Sequence, residues 1–281
     1  MNLSLSLCSL DFGMSNWQKI NNTFGDEFIR RKWFSGQEIY TPFVILGWYR
    51  SGTTLLTSLL QNHPELVCYS EVFLPKEPLW GQGVYNRFVN VNKAQQLRDQ
   101  HPDQFLKQYI FRAYQKGKGG VGFKLLYPQL QSNVALANAL GAIPNLKVIL
   151  LQRENLLDLW VSAQVAQKTG VKNKVNTQRD SAVQLTLDPK DLEKRFQNLK
   201  RGQDEMHVFA KQFNSLELTY EALNADRKAV MQEVFQFLNV TPKEVETSLV
   251  KQQKQPLSEI VQNFDGLVAY FKGTDSEKYF L

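Results

Sequence analysis

The segment Gly47–Thr54 (GWYRSGTT) constrains the fold of this chain more than any other part of its sequence. It follows Pro42–Gly47 (PFVILG), which has the composition of a short buried strand, and it runs into Thr53–Asn62, which carries leucines at helical spacing. A glycine-containing turn between a buried strand and a helix directs backbone N–H groups and the positive end of the helix dipole at an anion. The segment therefore predicts a site for a nucleotide-like anion.

Strand-like and helix-like patterns alternate along the rest of the chain. Further strands are predicted at Leu66–Tyr69, Gly119–Leu126, Leu146–Leu151 and Ser215–Thr219, and further helices at Leu156–Ala166 and Val230–Leu238. This alternation predicts an α/β fold with a P-loop-like, doubly wound, mostly parallel sheet and helices on both faces. Since no shift in composition marks a boundary, we expect one domain over residues 1–281, with residues 1–40 as an extension packed on it or trailing from it.

Charge and cysteine content narrow the class of protein. The net charge of +6 favours acidic ligands or an anionic surface, but the basic residues are dispersed and form no nucleic-acid motif. No apolar run approaches the roughly 18 to 20 residues that span a bilayer. Two cysteines, Cys8 and Cys68, are too few for a disulfide framework and indicate a reducing, cytoplasmic compartment. Histidine and cysteine lack ligand spacing, so no metal site is expected.

The loop departs from a nucleotide P-loop at one informative position. Gly47-x4-Gly52 has the P-loop spacing, and Thr54 stands where that motif places Ser or Thr. Thr53, however, stands where phosphoryl transfer requires lysine, and the cation of the loop is Arg50 instead. The other interpretation is a plain strand–helix turn in which Ser51 or Thr53 caps the helix.

A second absence separates two kinds of group transfer. Kinases and NTPases with a P-loop hold Mg²⁺ with an aspartate at the end of another core strand. Here the strand Leu146–Leu151 continues into Gln152 and Arg153, and no strand end offers a clear aspartate. A sulfuryl group carries less negative charge than a phosphoryl group and need not rely on a metal, so the sequence favours sulfuryl transfer.

Two further basic residues are candidates for anion contacts. Arg153 follows a buried strand, and Ser162 comes roughly two and a half helical turns later, which suits a phosphate clamp. The alternative is a surface salt bridge from Arg153 to Glu154 or Asp158. Lys124 lies within the strand Gly119–Leu126, where a buried lysine is costly unless it meets an anion. We expect it beside the transferred group as an electrostatic stabiliser, the alternative being an edge-strand lysine.

These residues together resemble the sulfotransferases that use 3′-phosphoadenosine 5′-phosphosulfate (PAPS). Arg50–Thr54 (RSGTT) resembles their 5′-phosphosulfate loop, and Arg153–Asn155 (REN) with Ser162 resembles their 3′-phosphate motif. Segments that resemble the bacterial and Golgi-type branch, with its glycan and tyrosylprotein sulfotransferases, are His63-Pro64 with Ser70–Phe73, Leu218–Leu223, and Lys251–Phe264. The resemblance extends from about Phe43 to the C-terminus.

The resemblance implies PAPS as the cofactor and a hydroxyl of a glycan, lipid or small metabolite as the acceptor. Glu71 matches the glutamate that serves as the general base in this branch, and it can project over the sheet edge where open α/β sheets bind ligands. Phe73 and Trp80 would raise the pKa of Glu71 by desolvation. In-line transfer would then be assisted by Arg50, Lys124 and the loop amides. The implied donor contacts are Arg50, Ser51, Gly52, Thr53, Thr54, Arg153, Ser162, Tyr220 and Lys251.

Several alternatives stay open at this point. The chain could be a P-loop kinase of small metabolites, or a non-catalytic nucleotide-binding protein of the same fold. His63 is expected to cap a helix rather than act as the base, and His101 and His207 are expected away from the site. The basic stretch Lys168–Asp180, a mobile loop or a broken helix, either contacts an anionic acceptor or is solvated surface. Aromatic residues that either line an acceptor pocket or belong to the core are Trp80, Tyr85, Phe88, Tyr127 and Trp160.

Overall fold

A computed structural model describes residues 25–26, 28–75, 89–170, 174–175, 183–247, 249–250 and 255–281. Its main sheet has five strands, and a separate pair of short strands is antiparallel. The strands of the main sheet are β1 Thr41–Gly47, β2 Leu66–Glu71, β3 Gly120–Leu126, β4 Lys147–Gln152 and β6 Asn214–Thr219. The separate pair consists of β5 Lys174–Val175 and β7 Leu249–Val250.

Helices connect the strands and cover the sheet. In chain order they are α1 Thr53–Leu60, α2 Val91–Gln100, α3 Pro102–Phe105, α4 Tyr127–Gln131, α5 Val134–Gly141, α6 Leu156–Thr169, α7 Pro189–Ala210, α8 Tyr220–Ala225, α9 Arg227–Leu238, α10 Leu257–Ile260 and α11 Phe264–Phe271. A π-helical turn at Leu106–Ile110 continues α3, and a 3₁₀ turn at Glu277–Phe280 ends the chain.

The order of the main sheet confirms the predicted doubly wound architecture. All neighbouring strands pair in parallel, in the order β2-β3-β1-β4-β6. The central strand β1 is followed by β2 on one side of it, and the later strands β4 and β6 lie on the other side. The carboxyl end of β1 is therefore the topological switch point, which is where open α/β sheets bind their ligands.

Burial on both faces explains why the central strands are apolar without alternation. Val44 and Leu46 of β1 face a core that includes residues of α2 to α5, and Phe43 and Ile45 face a core built with α1 and α9. A third core joins α6, α7 and α11. The sheet edge that carries the loop after β1 is thus supported by packed layers on both sides.

The structure changes three local predictions. β2 continues past Tyr69 to Glu71, with a shift in register between those two residues, so Glu71 ends the strand rather than following it. The stretch predicted as a loop or broken helix from Lys168 begins inside α6, and residues 174–175 form β5, whereas residues 171–173 and 176–180 lie outside the described residues. The 22-residue helix α7 contains the polar helical stretch expected around His207, but its full extent was not predicted.

Part of the N-terminal extension packs on the rest of the domain. Residues 1–24 and 27 lie outside the described residues, and residues 28–40 pack on the domain through Ile29 and through a bridge between Gln37 and Tyr114. One domain over residues 1–281 stays a prediction. No helix in the described part of the chain is both long and apolar enough to cross a membrane.

Candidate active site

The loop after β1 is a tight backbone cradle. Arg50 and Gly52 both have left-handed backbone angles, with φ of 66° and 91°. Oγ of Ser51 donates a hydrogen bond to the carbonyl oxygen of Trp48 at 2.8 Å, which closes the turn. A side chain at Gly47 would place its Cβ 2.7 Å from the carbonyl oxygen of Leu151, so the strand must end in glycine. The loop then runs directly into α1 at Thr53, with no side-chain cap on the helix.

Tyr220, the first residue of α8, packs against this loop. A Cβ added to Gly52 would lie 2.5 Å from Cδ2 of the Tyr220 ring, so only glycine allows this approach. The same ring also contacts Arg153, whose guanidinium lies 4.5 Å from the centroid of the Tyr220 ring. Burial raises the pKa of the Tyr220 hydroxyl. The Tyr220 ring therefore joins the loop Gly47–Thr54, which we call the anion loop, to Arg153, which follows β4.

Arg153 is a buried arginine rather than a surface one, with 4% of its side chain exposed. Nη1 donates to the carbonyl oxygen of Arg50 at 3.2 Å, and Nη2 donates to the carboxylate of Asp158. The Nε–H is buried and has no hydrogen-bond partner among the described residues. A buried donor without an acceptor is costly, so this edge of the guanidinium fits an anionic ligand.

The predicted pair Arg153 and Ser162 is joined through Arg50. Nε of Arg50 donates to Oγ of the buried Ser162 at 3.1 Å, and the backbone of Arg50 accepts from Arg153. Burial, and then the positive charge of Arg153, lower the pKa of the Arg50 guanidinium. A buried and a partly buried cation so close together favour a ligand that carries negative charge.

The start of α6 fixes the position of Arg153. Oδ1 of Asn155 accepts from the backbone N–H of Asp158 at 2.9 Å, which caps the helix. Nδ2 of Asn155 donates to the carbonyl oxygen of Tyr279 at 3.1 Å, so the C-terminal turn holds the cap. The carboxylate of Glu221 accepts the backbone N–H groups of Glu154 and Asn155.

Lys124 and Glu71 meet at the same edge of the sheet. They face each other across β3 and β2, and Nζ of Lys124 lies 2.7 Å from Oε1 of Glu71. Nζ also donates to Oγ1 of Thr54 at 2.9 Å. Lys124 is 4% exposed and Glu71 is 16% exposed, so the ion pair is largely shielded from water. The predicted buried lysine therefore contacts both the anion loop and the predicted base.

Gln129 belongs to this cluster, although the sequence reasoning did not select it. Nε2 donates to Oε2 of Glu71 at 3.3 Å, and Oε1 accepts from the backbone N–H of Leu126 at 3.1 Å. The sequence signal that could have found Gln129 is Pro128, because a proline is common at the start of a helix. A helix that begins directly after β3 brings Gln129, in its first turn, to the edge of the sheet. Tyr49 also lies near Glu71: burial, and then the negative charge of Glu71, raise the pKa of its hydroxyl.

Other predicted residues have different surroundings. The ring of Phe73 packs in the core against Phe105 and Phe123. The described polar partners of Glu71 are Lys124 and Gln129, rather than the aromatic neighbours that were expected to desolvate it. The predicted positions that lie outside the described residues are Trp80, Tyr85, Phe88 and Lys251.

The three histidines lie away from this cluster. His63 lies between α1 and β2, at the opposite edge of the sheet: its backbone N–H donates to the carbonyl oxygen of Leu60, the last residue of α1, at 3.1 Å, and its ring contacts Glu65 and Thr241. His207 pairs with Glu217, and His101 precedes α3. Among the described residues, no group of three or more His, Cys, Asp and Glu side chains is arranged to hold a metal ion.

Two aromatic candidates can be placed. Tyr127 is buried and donates to Oε2 of Glu205 at 2.7 Å, with its ring near that of Trp48. Trp160 packs beside the third core, and the guanidinium of Arg195 lies 4.9 Å from its ring centroid. Tyr127 therefore lies beside the anion loop, whereas Trp160 has a packing role.

A parallel sheet with a glycine-bordered loop at its switch point, flanked by the buried Arg153 and the partly buried Arg50, defines a doubly wound α/β protein of the class that binds its ligands at this point. The chain belongs to the sulfotransferase family, whose profile matches residues 42–244. That match covers β1 to the segment after α9, and so includes the loop, Glu71, Lys124, Arg153 and Tyr220.

Curated relatives match over most of the chain. Nodulation protein H of Rhizobium tropici is 26% identical over 248 residues, covering 85% of this chain and 92% of the relative. Nodulation protein H of Rhizobium meliloti (strain 1021) is 26% identical over 250 residues, covering 85% of this chain and 94% of the relative.

Two of the solved structures that are similar to this chain come from Alicyclobacillus acidocaldarius and from mouse. A sulfotransferase from Alicyclobacillus acidocaldarius has a TM-score of 0.48 and 15% identity, covering 82% of this chain and 91% of the other. Mouse sulfotransferase SULT7A1 complexed with PAP has a TM-score of 0.39 and 13% identity, covering 92% of this chain and 94% of the other.

Proposed function

We propose that this protein transfers a sulfuryl group from PAPS to a hydroxyl of a glycan, a lipid or a small metabolite. The observation that carries the proposal is the position of Lys124, whose ammonium contacts Thr54 of the anion loop and Glu71 together. A cation that bridges the loop and a carboxylate fits a reaction in which charge moves from the acceptor oxygen to the leaving phosphate. Membership of the sulfotransferase family supports the same reaction.

The residues around the loop fit the two anionic ends of PAPS. The unsatisfied Nε of Arg153 and the close approach of Tyr220 to Gly52 support a ligand site at this loop. We assign Arg153 and Ser162 to the 3′-phosphate and Tyr220 to a contact with the nucleotide. Lys251 is proposed as a further contact on the resemblance alone. The residues assigned to the 5′-phosphosulfate end are Arg50, Ser51, Gly52, Thr53 and Thr54.

The protein groups then have separate roles. PAPS supplies an activated sulfuryl group on a leaving phosphate. Glu71 accepts the proton of the acceptor hydroxyl. At the same time the oxygen of that hydroxyl forms a bond to sulfur, and the bond between sulfur and the phosphate oxygen breaks. Lys124 and Arg50 stabilise the negative charge that develops on the transferred group and the leaving oxygen. Gln129 holds one oxygen of Glu71 so that the other faces Lys124.

The test is transfer of radiolabelled sulfate from PAPS in a screen of glycans, phenols, lipids and carrier-bound acyl alcohols. We expect Glu71→Gln and Lys124→Met to lower turnover by at least about 100-fold while the Glu71 variant still binds PAP. Glu193→Gln, at an exposed position of α7, is the matched control and should retain activity.

Three outcomes would argue against the proposal in different ways. If both variants kept normal turnover, the assignment of the site would be wrong. Magnesium-dependent phosphorylation from ATP, without any sulfate transfer, would indicate a kinase of small metabolites. Binding of PAP without transfer to any acceptor class would favour a non-catalytic nucleotide-binding protein.

A further inference from the structure

A turn of the chain before β1 presents aromatic side chains to solvent in a fixed conformation. The backbone N–H of Trp33 donates to the carbonyl oxygen of Phe28 at 2.9 Å, and that of Lys32 donates to Ile29 at 2.8 Å. Lys32 has a left-handed φ of 61°. These are the bonds of a Schellman helix end, in which the residues at the positions of Trp33 and Phe28 usually make an apolar contact. Their rings stack here with centroids 5.3 Å apart.

The turn is anchored to the domain and is not a loose tail. Ile29 is buried, and the added Cβ of an alanine at Gly36 would collide with it. The carbonyl oxygen of Asp26 accepts from Nη1 of Arg112 at 2.8 Å. Gln37 pairs in antiparallel fashion with Tyr114 and so ties the end of the turn to the segment that leads into β3.

Three large apolar side chains of this segment are exposed, and two of them, Trp33 and Phe34, are adjacent in sequence and contact the ring of Phe28. Trp33 is 63% exposed, Phe34 is 65% exposed and Ile39 is 87% exposed. Large apolar side chains are usually buried in a folded protein, so Trp33 and Phe34 exposed side by side at one turn indicate a surface that contacts another molecule.

The charges beside this surface indicate the chemistry of that contact. Arg30, Arg31 and Lys32 lie between the aromatic residues, and Glu38 is the single acidic residue in the sequence 28–39. The guanidinium of Arg31 lies 5.7 Å from the ring centroid of Trp33. Tryptophan and phenylalanine flanked by cations match an anionic bilayer surface, where the rings enter the headgroup region and the cations meet lipid phosphates.

We propose that residues 28–39 bind the protein peripherally to an anionic lipid bilayer. This surface lies at the amino-terminal edge of the main sheet, because Gln37 and Tyr114 precede β1 and β3. The loop at Gly47–Thr54 lies at the opposite, carboxyl-terminal edge. A bilayer on this surface leaves that edge facing the solvent, so the inference does not depend on the proposed reaction.

The experiment is cosedimentation of the full chain with phosphatidylcholine vesicles, with and without phosphatidylglycerol. We expect binding only to the anionic vesicles, and weaker binding as salt is raised. Trp33→Ser with Phe34→Ser should weaken binding by at least about tenfold. Arg31→Gln and Lys32→Gln should each weaken it by about fivefold.

Two controls distinguish binding through this surface from non-specific adsorption to the vesicles. Val208→Ser removes an apolar side chain at another exposed position and should leave vesicle binding unchanged. Brominated lipids should quench part of the tryptophan fluorescence of the wild type, and Trp33→Phe should remove that part. Circular dichroism and thermal melts establish that each variant is folded.

Two results would overturn the proposal. One is the absence of binding to anionic vesicles. If the chain then self-associates and Trp33→Ser with Phe34→Ser abolishes that association, the surface contacts a second copy of the chain and not a bilayer. The other is vesicle binding that the aromatic double variant does not weaken, because the contact would then lie elsewhere on the protein.

Discussion

The side-chain amide of Gln129 donates a hydrogen bond to the carboxylate of Glu71, with 3.3 Å between Nε2 and Oε2. The other oxygen of the same carboxylate faces Lys124 at 2.7 Å. Because Oε1 of Gln129 accepts from the backbone N–H of Leu126, the amide has one preferred orientation. Glu71 is thus held by two partners that both belong to β3 or to the helix that follows it.

This arrangement predicts a positioning role for Gln129. We expect Gln129→Leu to lower kcat by about tenfold, because one hydrogen bond to a charged group is lost, and to leave the affinity for PAP unchanged. Gln131→Leu is the matched control, since this residue of the same helix binds Glu205 instead. Steady-state kinetics and calorimetry with PAP measure the two quantities. An equal loss of kcat in both variants would contradict the role.

Gly52 offers a test of the contact with Tyr220. Gly52→Ala should destabilise the protein by about 1–2 kcal/mol, because its φ of 91° is left-handed, and should also displace the ring 2.5 Å from the new Cβ. Affinity for PAP should then fall by about tenfold, since Arg153 loses its aromatic support.

The control for this variant is Gly117→Ala. Gly117 has a φ of 88°, but nothing lies within 4 Å of an added Cβ. Thermal melts should show a similar loss of stability for both variants, and PAP binding should change only at Gly52. If the Gly117 variant also lost PAP binding, the effect would come from stability rather than from the contact.

The cap of α6 predicts a link between the C-terminal turn and the donor site. Asn155→Ala should cost about 0.5–2 kcal/mol of stability and should weaken PAP binding, because Arg153 precedes this cap by two residues. Asn133→Ala removes the equivalent cap of α5, where Oδ1 accepts from Leu136 at 2.9 Å. Urea unfolding should give similar losses for the two variants. Weakened PAP binding in the Asn133 variant would contradict a specific effect.

His63 predicts a pH dependence of stability that is separate from catalysis. Nε2 is 2.8 Å from the carbonyl oxygen of Thr241, and Nδ1 accepts from the backbone N–H of Glu65, so the neutral ring satisfies both partners. Burial lowers the pKa of His63 in the folded state. As the pH falls, His63 of the unfolded chain therefore becomes protonated before His63 of the folded protein. The free energy of unfolding is then highest above about pH 6.5 and decreases as the pH falls towards the pKa of His63 in the folded state.

The measurement is the free energy of unfolding in urea at a series of pH values between about pH 5 and pH 8. His63→Gln should flatten the curve, although it also lowers the stability at neutral pH. A wild-type curve that His63→Gln does not flatten would show that another group dominates.

Much of the fold followed from local patterns. β1, β3 and β4 are buried on both faces, so their residues form apolar runs that can be recognised without a partner strand. The loop after β1 was also predictable, because its glycines and the start of α1 are adjacent in sequence. The full extent of the mostly polar helix α7 was not predicted, although its buried residues recur every three or four positions, because its long charged face dominates its composition.

The pairing of side chains within the site depends on contacts that local patterns do not contain. Arg50 and Ser162 are 112 positions apart, and the sequence suggested Arg153 as the partner of that serine. The ion pair of Glu71 with Lys124 requires β2 and β3 to be neighbours and requires the register shift after Tyr69. Residue types and strand ends could be predicted, whereas their partners needed the order of the sheet.

The ring of Tyr220 makes the two halves of the proposed donor pocket interdependent. The ring packs against both Gly52 and Arg153. A ligand group that binds at the loop therefore also restricts the geometry around Arg153, and the reverse. Adenosine nucleotides with only a 5′-phosphate or only a 3′-phosphate should then bind with energies that do not add up to that of the bisphosphate. In a Tyr220→Ala protein the energies should add. Neither half of the pocket could be re-engineered for another nucleotide without altering the fit of its counterpart.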